Sequence, residues 1–235
     1  MINSNIFLAG FSLEEKKEQL CHDVILFVYS QLPLWRDDKT RKRETSEEPL
    51  NSQLCKFLNT SARRSEESFF FNNEEPQGAR RKVDISVSPY TDLLPNDLYP
   101  SPYETITVFE AKRLPAPSSG REKEYILSAD GHIGGGIQRF KLGLHGASYN
   151  LVGMIGYIQN DDANTCFLRI NKWLDELAGT ISDDTSWSPD EKLQKVCLDA
   201  SKRIWHGISR HTRTNLGAVT IHHLWVEMSD DSREK

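Results

Sequence analysis

Apolar positions along the chain follow two periods, and the change between them outlines the elements. Over residues 12–33, Leu13, Leu20, Val24, Phe27, Val28 and Leu32 recur at helical spacing. Ser12 followed by Glu14 and Glu15 suits the start of that helix, where free N–H groups and the positive end of the dipole favour oxygen and negative charge. Residues 36–46 are polar and charged without a period and read as a linker. A second helix is predicted over about 47–61, with Leu50, Leu54, Phe57 and Leu58 on one stripe and Thr45 or Ser46 as its cap. Pro49 falls in the first turn, where its missing N–H costs little. The pattern then turns to β-branched and aromatic runs, which predict strands at 68–71, 81–87 and 106–112. Turn-forming residues 72–78 separate the first two.

Charge appears in these strands where a sheet interior should carry none. Asp84 lies between Val83 and Ile85, and Glu110 and Lys112 continue the apolar run that begins at Ile106. Side chains alternate faces along a strand, so Glu110 and Lys112 point one way and Phe109 and Ala111 the other. Buried charge is costly unless paired or bound to metal, so three such residues on neighbouring strands suggest a site. An acid two positions before a lysine also occurs at Glu14, Glu15, Asp37 and Asp190, but in helical or polar surroundings.

Between the second and third strands runs a long loop, 88–104, rich in Pro and Asp and holding Tyr90, Tyr99 and Tyr103. Loops of this length in a compact domain are often functional, and these tyrosines are either substrate contacts or packing anchors. Residues 121–146 read as helical with an interruption. The triple glycine Gly134-Gly135-Gly136 is placed at a helix start, where backbone N–H groups could face a phosphate. It lacks the spacing and ending of a nucleotide-binding P-loop. A buried strand is predicted at 151–158, a helix at 162–178, a further helix opening at Ser188-Pro189-Asp190-Glu191 and running to about 209, and a last strand at 218–228. In that strand His222 and His223 are adjacent and face opposite ways, so they form no ligand pair, and zinc binding with His206 and His211 has no support in spacing.

Composition narrows the class without naming a chemistry. A chain of 235 residues with 37% hydrophobic and 27% charged residues can bury one good core. No apolar run reaches bilayer length, and Val24 to Tyr29 is too short to span and lacks a signal-peptide layout. Cys21, Cys55, Cys166 and Cys197 are scattered, which reads as reduced thiols of a cytoplasmic protein. The net charge of −5 argues against coating nucleic acid through bulk charge, although local basic clusters stand at Arg41-Lys42-Arg43, Arg63-Arg64 and Arg80-Arg81-Lys82. The last lies close enough to Asp84 to touch phosphates.

At Asp84, Glu110, Ala111 and Lys112 the chain resembles the PD-(D/E)xK nuclease superfamily: an acid on one strand, then an acid, a spacer and a lysine on the next, with Val83 in place of the nominal proline. The resemblance implies an α/β fold with a restriction-endonuclease-like core, a mixed central β-sheet flanked by helices. That core would span about 47–160 of a domain at 47–235, with residues 1–46 as an N-terminal helical extension and charged linker. It implies Mg²⁺, with Mn²⁺ as substitute, held by Asp84, Glu110 and the carbonyl of Ala111, and Lys112 acting on the attacking water. A glutamate on the first core helix often joins such a site. Glu48 matches by position, with Glu47 one residue away, unless both merely favour the helix start. The helix after the catalytic strand would offer Gln138, Arg139 and Lys141, with Arg81, to nucleic acid; Arg139 could instead brace the fold through an ion pair. DNA is the expected substrate, with RNA left open, and a small effector of bacterial restriction or anti-phage defence is the expected setting, directed by a partner subunit. Double-strand cutting by a one-site subunit would require a homodimer. The competing expectation is a non-catalytic subunit that keeps the fold for binding nucleic acid or for assembly, with its N-terminal helix as docking surface.

Overall fold

The computed structural model describes residues 11–77, 81–94, 98–99, 101–128, 134–179 and 186–228. Arg80, the acids beyond Met228 and parts of the loops at 88–104 and 121–146 lie outside these residues.

The chain begins with α1 (Leu13–Arg36), opened by a reciprocal cap in which Ser12 and Glu15 satisfy each other's free N–H groups. It runs past Pro33, beyond the predicted end, because Trp35 in the last turn is buried and anchors it. Helix α2 (Glu47–Arg64) follows, and then β1 (Phe69–Pro76), β2 (Lys82–Pro89) and β3 (Thr107–Leu114). Strand β1 continues through the predicted turn because Asn72 is not a turn residue here. Its amide bonds across the strand pair to the hydroxyls of Ser86 and Ser88. In the connection to β4 (Leu151–Ile158), most of the helix expected over 121–146 is turn among the described residues, and only α3 (Gly136–Lys141) is α-helical; it starts at the glycines as expected and ends where Gly143 takes a positive φ. Helix α4 (Ala163–Ala178) comes next.

The predicted helix from Ser188 is absent. After a single 3₁₀ turn, Pro189–Glu191, the chain forms β5 (Gln194–Asp199) and β6 (Ile204–Arg213), before β7 (Gly217–Glu227). The misleading signal is real but local: Ser188 and Glu191 do cap each other, and that motif closes only one turn. Downstream, Gly207 rules against a helix. Its α-carbon lies under the Trp205 ring, where an added Cβ would meet Cη2 at 2.1 Å.

The result is an α/β fold around a mixed seven-stranded sheet in the order β1-β2-β3-β4-β7-β6-β5. Strands β3, β4 and β7 run parallel, and the flanking pairs are antiparallel. Helices α1 and α2 cover one face, burying Val24, Ile25, Leu32, Leu50, Leu54 and Leu58 against Ile85, Phe109, Ala111 and Ile155. Helix α1 therefore shares one core with α2 and the sheet. The other face is filled by α3 and α4, with Ile137, Phe140, Ile170 and Leu174 against Val108, Val152, Met154 and Trp225. Burying these apolar side chains stabilises each by about 1.5–3 kcal/mol relative to exposure.

Polar groups cross this second face. Trp225 Nε1 donates to Tyr125 Oη at 2.8 Å, and Tyr125 Oη lies 2.7 Å from His223 Nδ1. Ser209 Oγ sits 2.8 Å from His223 Nε2 and 2.7 Å from His211 Nε2. His211 Nδ1 faces Glu191 Oε2 at 3.5 Å, and Lys141 Nζ binds Glu191 Oε1 at 2.5 Å. On the first face His222 stacks on His206, their rings bonded at 2.9 Å. His222 and His223 thus face opposite ways. Among the described residues no helix is long and apolar enough to cross a membrane, and all four cysteines are free.

Candidate active site

The site forms where two paired strands part. Strands β2 and β3 pair through Val87↔Thr107, Ser86↔Val108 and Ile85↔Phe109, and then separate. Asp84 pairs in neither the β1 nor the β3 ladder. Alternation places the N–H groups of Ala111 and Arg113 on the edge that β2 has left, and unpaired buried N–H groups need acceptors. Carboxylates supply them: Asp84 Oδ2 accepts from Ala111 N–H at 2.8 Å, and Glu47 Oε1 from Arg113 N–H at 3.3 Å. Two acids stand in for a missing strand, which is why the sequence tolerates charge here.

The charges interlock. Glu47 Oε2 binds Lys112 Nζ at 3.0 Å. Glu110 is fully buried and accepts from Arg139 Nη1 at 3.0 Å on Oε2 and from His145 Nδ1 at 2.5 Å on Oε1. Burial and the neighbouring Glu110 charge push Asp84 up to about 7, against the pull of Lys112 and the Ala111 N–H. Burial acts on Glu110 in the same sense, but His145, Lys112 and Arg139 outweigh it and hold Glu110 below its usual range. Burial also disfavours the Lys112 ammonium, yet Asp84, Glu47 and Glu110 more than offset it and raise its pKa.

Asp84, Glu110 and Lys112 are therefore brought together. The first-helix acid that reaches them is Glu47; Glu48 is exposed one residue along the helix, about 100° away, and touches none of them. Arg139 serves as an ion-pair partner of Glu110 and keeps about 30% of its side chain exposed. Lys141 points elsewhere: it is buried with Glu191 and lies over the Trp187 ring at 5.3 Å, so it offers no charge to a ligand at this site. Arg81 Nε, Arg113 Nε and Gln138 Oε1 are among the polar atoms buried without a partner in the described residues. Of the loop tyrosines, Tyr99 is buried beneath Lys17, Tyr90 packs near Phe70 and Tyr103 is exposed. A groove of about 1190 Å³ is lined by Ile106, Tyr149, Leu151 and Thr220, at the opposite end of β3 and β4 from Lys112.

A Mg²⁺ ion is commonly held by one or two carboxylates, with waters and substrate phosphate completing its shell. Among the described residues no group of three or more His, Cys, Asp and Glu side chains converges as a ready metal cage. Two carboxylates do fit the looser arrangement. Asp84 takes one hydrogen bond among the described residues, on Oδ2, which leaves Oδ1 for a cation. Each Glu110 oxygen takes one bond and keeps a second lone pair. The repulsion that raises Asp84 is also the kind a divalent cation relieves. The Ala111 carbonyl lies on the same strand edge.

His145 was not legible as a site residue. Its signal is the flanking pair in Gly143-Leu144-His145-Gly146, since both glycines adopt positive φ and bend the chain back toward β3. No protein-family model, curated protein or solved structure matches this chain.

Proposed function

We propose that this chain is a metal-dependent nuclease that hydrolyses phosphodiester bonds of DNA through a restriction-endonuclease-like core. The reading rests on one observation: Asp84 from β2, Glu110 and Lys112 from β3, and Glu47 from α2 meet where the two strands part. The element order supports it, with a helix, three antiparallel strands, a crossover helix and a parallel fourth strand over the proposed core.

Asp84, Glu110 and the Ala111 carbonyl would hold Mg²⁺, or Mn²⁺ in its place. When bound, the cation supplies a Lewis acid for the phosphate and lowers the pKa of the attacking water. Lys112, kept protonated by three carboxylates, acts as a fixed positive charge that orients the water and stabilises the negative charge growing on phosphorus-bound oxygens. It is not suited to be the base. Glu47 fixes the ammonium in place. Arg139, partly in solvent, and the half-buried Arg81 just before β2 are the side chains that would meet the DNA backbone. A small effector of bacterial restriction or anti-phage defence, directed by a partner protein, fits a catalytic core with no recognisable sequence-reading module.

The second reading, a non-catalytic subunit that binds nucleic acid or assembles with a partner, draws on the closed pairing of Lys112 with Glu47 and of Glu110 with Arg139 and His145. Such a network also serves a structural role. Incubating purified protein with plasmid, linear and single-stranded DNA and with RNA, in Mg²⁺ or Mn²⁺, separates the two. Metal-dependent cleavage that disappears in Asp84→Ala and Lys112→Ala supports the nuclease. Failure to cleave, together with no Mn²⁺ binding by calorimetry, leaves the subunit.

A further inference from the structure

We propose, resting on the nuclease reading above, that His145 is the positioning residue that sets the orientation of the Glu110 carboxylate toward its cation. Glu110 stands in mid-strand with no exposed surface, and two donors hold its head group. They differ in stiffness. Arg139 reaches it on a long, partly exposed side chain, whereas His145 is 2% exposed and has only two side-chain torsions. The shorter bond, 2.5 Å from Nδ1, therefore comes from the more rigid group. An ionised carboxylate only accepts, so Nδ1 carries the proton of this bond.

The segment carrying His145 is built to keep it there. Gly143 and Gly146 have φ of 65° and 61°, a conformation that side chains rarely adopt. A Cβ at Gly146 would also press on Val108 Cγ2 at 3.1 Å and Val152 Cγ1 at 3.2 Å. The N–H groups of Leu144 and His145 both donate to the Arg139 carbonyl, at 2.9 and 3.3 Å, so one piece of backbone places both partners of Glu110. Behind it lies Arg213, 3% exposed on β6. Its Nη1 donates to the carbonyls of Gly146, Ala147 and Tyr149 at 3.2, 3.3 and 3.2 Å, and its Nη2 to Asn150 Oδ1 and the Leu216 carbonyl at 3.2 and 3.1 Å. A buried guanidinium spent on loop acceptors, with no carboxylate partner among the described residues, ties that loop to the sheet.

A carboxylate that binds a cation with its front lone pairs is aimed by the donors behind it, and removing such a donor typically weakens metal affinity or activity about 10- to 100-fold. The test compares wild type with His145→Asn, His145→Gln and His145→Ala, reading Mn²⁺ affinity by calorimetry, kcat and KM on plasmid, and thermal unfolding. Asparagine puts an N–H where Nδ1 stands; glutamine puts it one bond further out. The expected result is a loss of about 10- to 100-fold in Mn²⁺ affinity and kcat for Ala and Gln, with KM for DNA unchanged and most of the loss restored in Asn. Because Asn and Gln are compared with each other, an unfolded Ala variant leaves the test intact. Wild-type affinity and kcat in a folded Ala variant, or equal behaviour of Asn and Gln, overturns the assignment. A wild type that neither binds Mn²⁺ nor cleaves overturns the nuclease reading itself, and this one with it.

Discussion

Replacing Asp84 by asparagine should stabilise the metal-free protein. Burial and the Glu110 charge lift Asp84 from 3.8 to about 7. The folded state therefore holds a proton that the unfolded chain has already released between about pH 4 and 7. A group raised in this way contributes fully below the unfolded value and loses its contribution as pH rises through the folded value. A rise of about three pH units, at about 1.36 kcal/mol each, sets an upper bound of about 4 kcal/mol for the resulting penalty above neutral pH. Asp84 is not sealed from water, and solvent screening reduces this to about 1–2 kcal/mol. The asparagine side chain would be neutral at every pH, and its carbonyl oxygen can still accept from Ala111 N–H. In EDTA near pH 8, Asp84→Asn should thus melt about 2–8 °C above wild type, and the gap should close near pH 4. Adding Mg²⁺ should raise the wild-type midpoint by binding the folded form and leave the variant unmoved. A variant less stable than wild type in EDTA, or one that responds equally to Mg²⁺, would refute the reasoning that this site stores like-charge repulsion for a cation.

The choice between neighbouring glutamates is testable on the same plasmid assay: Glu47→Gln should slow cleavage about 10-fold or more by loosening Lys112, whereas Glu48→Gln should leave the rate within error. Removing one partner of the buried Lys141–Glu191 pair by Lys141→Met should cost about 3–5 kcal/mol in urea denaturation, and adding Glu191→Leu should recover most of it. Burial raises the Glu191 pKa, but His211 facing it and Lys141 bonded to it bring it down to about 2. Its contribution is therefore present above about pH 4.5 and lost as pH falls toward 2, and Glu191→Gln should flatten that acid limb. Gly207→Ala must displace the Trp205 ring stacked on Trp225, and should destabilise by about 1–3 kcal/mol with a change in near-ultraviolet circular dichroism.

The core of the fold was legible because its periods are long and uninterrupted: α1, α2 and α4 show helical stripes, and β4 is apolar throughout. Asp84, Glu110 and Lys112 were legible for the opposite reason, as charge breaking an apolar run. The β5–β6 hairpin was hidden by a genuine helix-start motif at Ser188 and Glu191 and by an edge strand whose residues are nearly all exposed, so that no buried face imposes a period. Whether Glu47 or Glu48 joins the site depends on how α2 is rotated against β3, which tertiary packing decides and local sequence does not. His145 lies 35 residues from Glu110 and arrives through a turn, where no periodicity operates.

The polar chain through the second face has a direction. An indole N–H can only donate, so Trp225 fixes the oxygen of Tyr125 as acceptor and sends the phenol hydrogen to His223 Nδ1. His223 is then the Nε2–H tautomer and donates to Ser209, whose own hydrogen passes to His211 Nε2, leaving the Nδ1–H of His211 turned toward Glu191. Burial keeps both imidazoles neutral, as the scheme requires. Two histidines of one core are thereby held in opposite tautomers by a single tryptophan, and nitrogen chemical shifts should find His223 protonated at Nε2 and His211 at Nδ1. With phenylalanine at position 225 the chain would lose its fixed end and both polarities would become available.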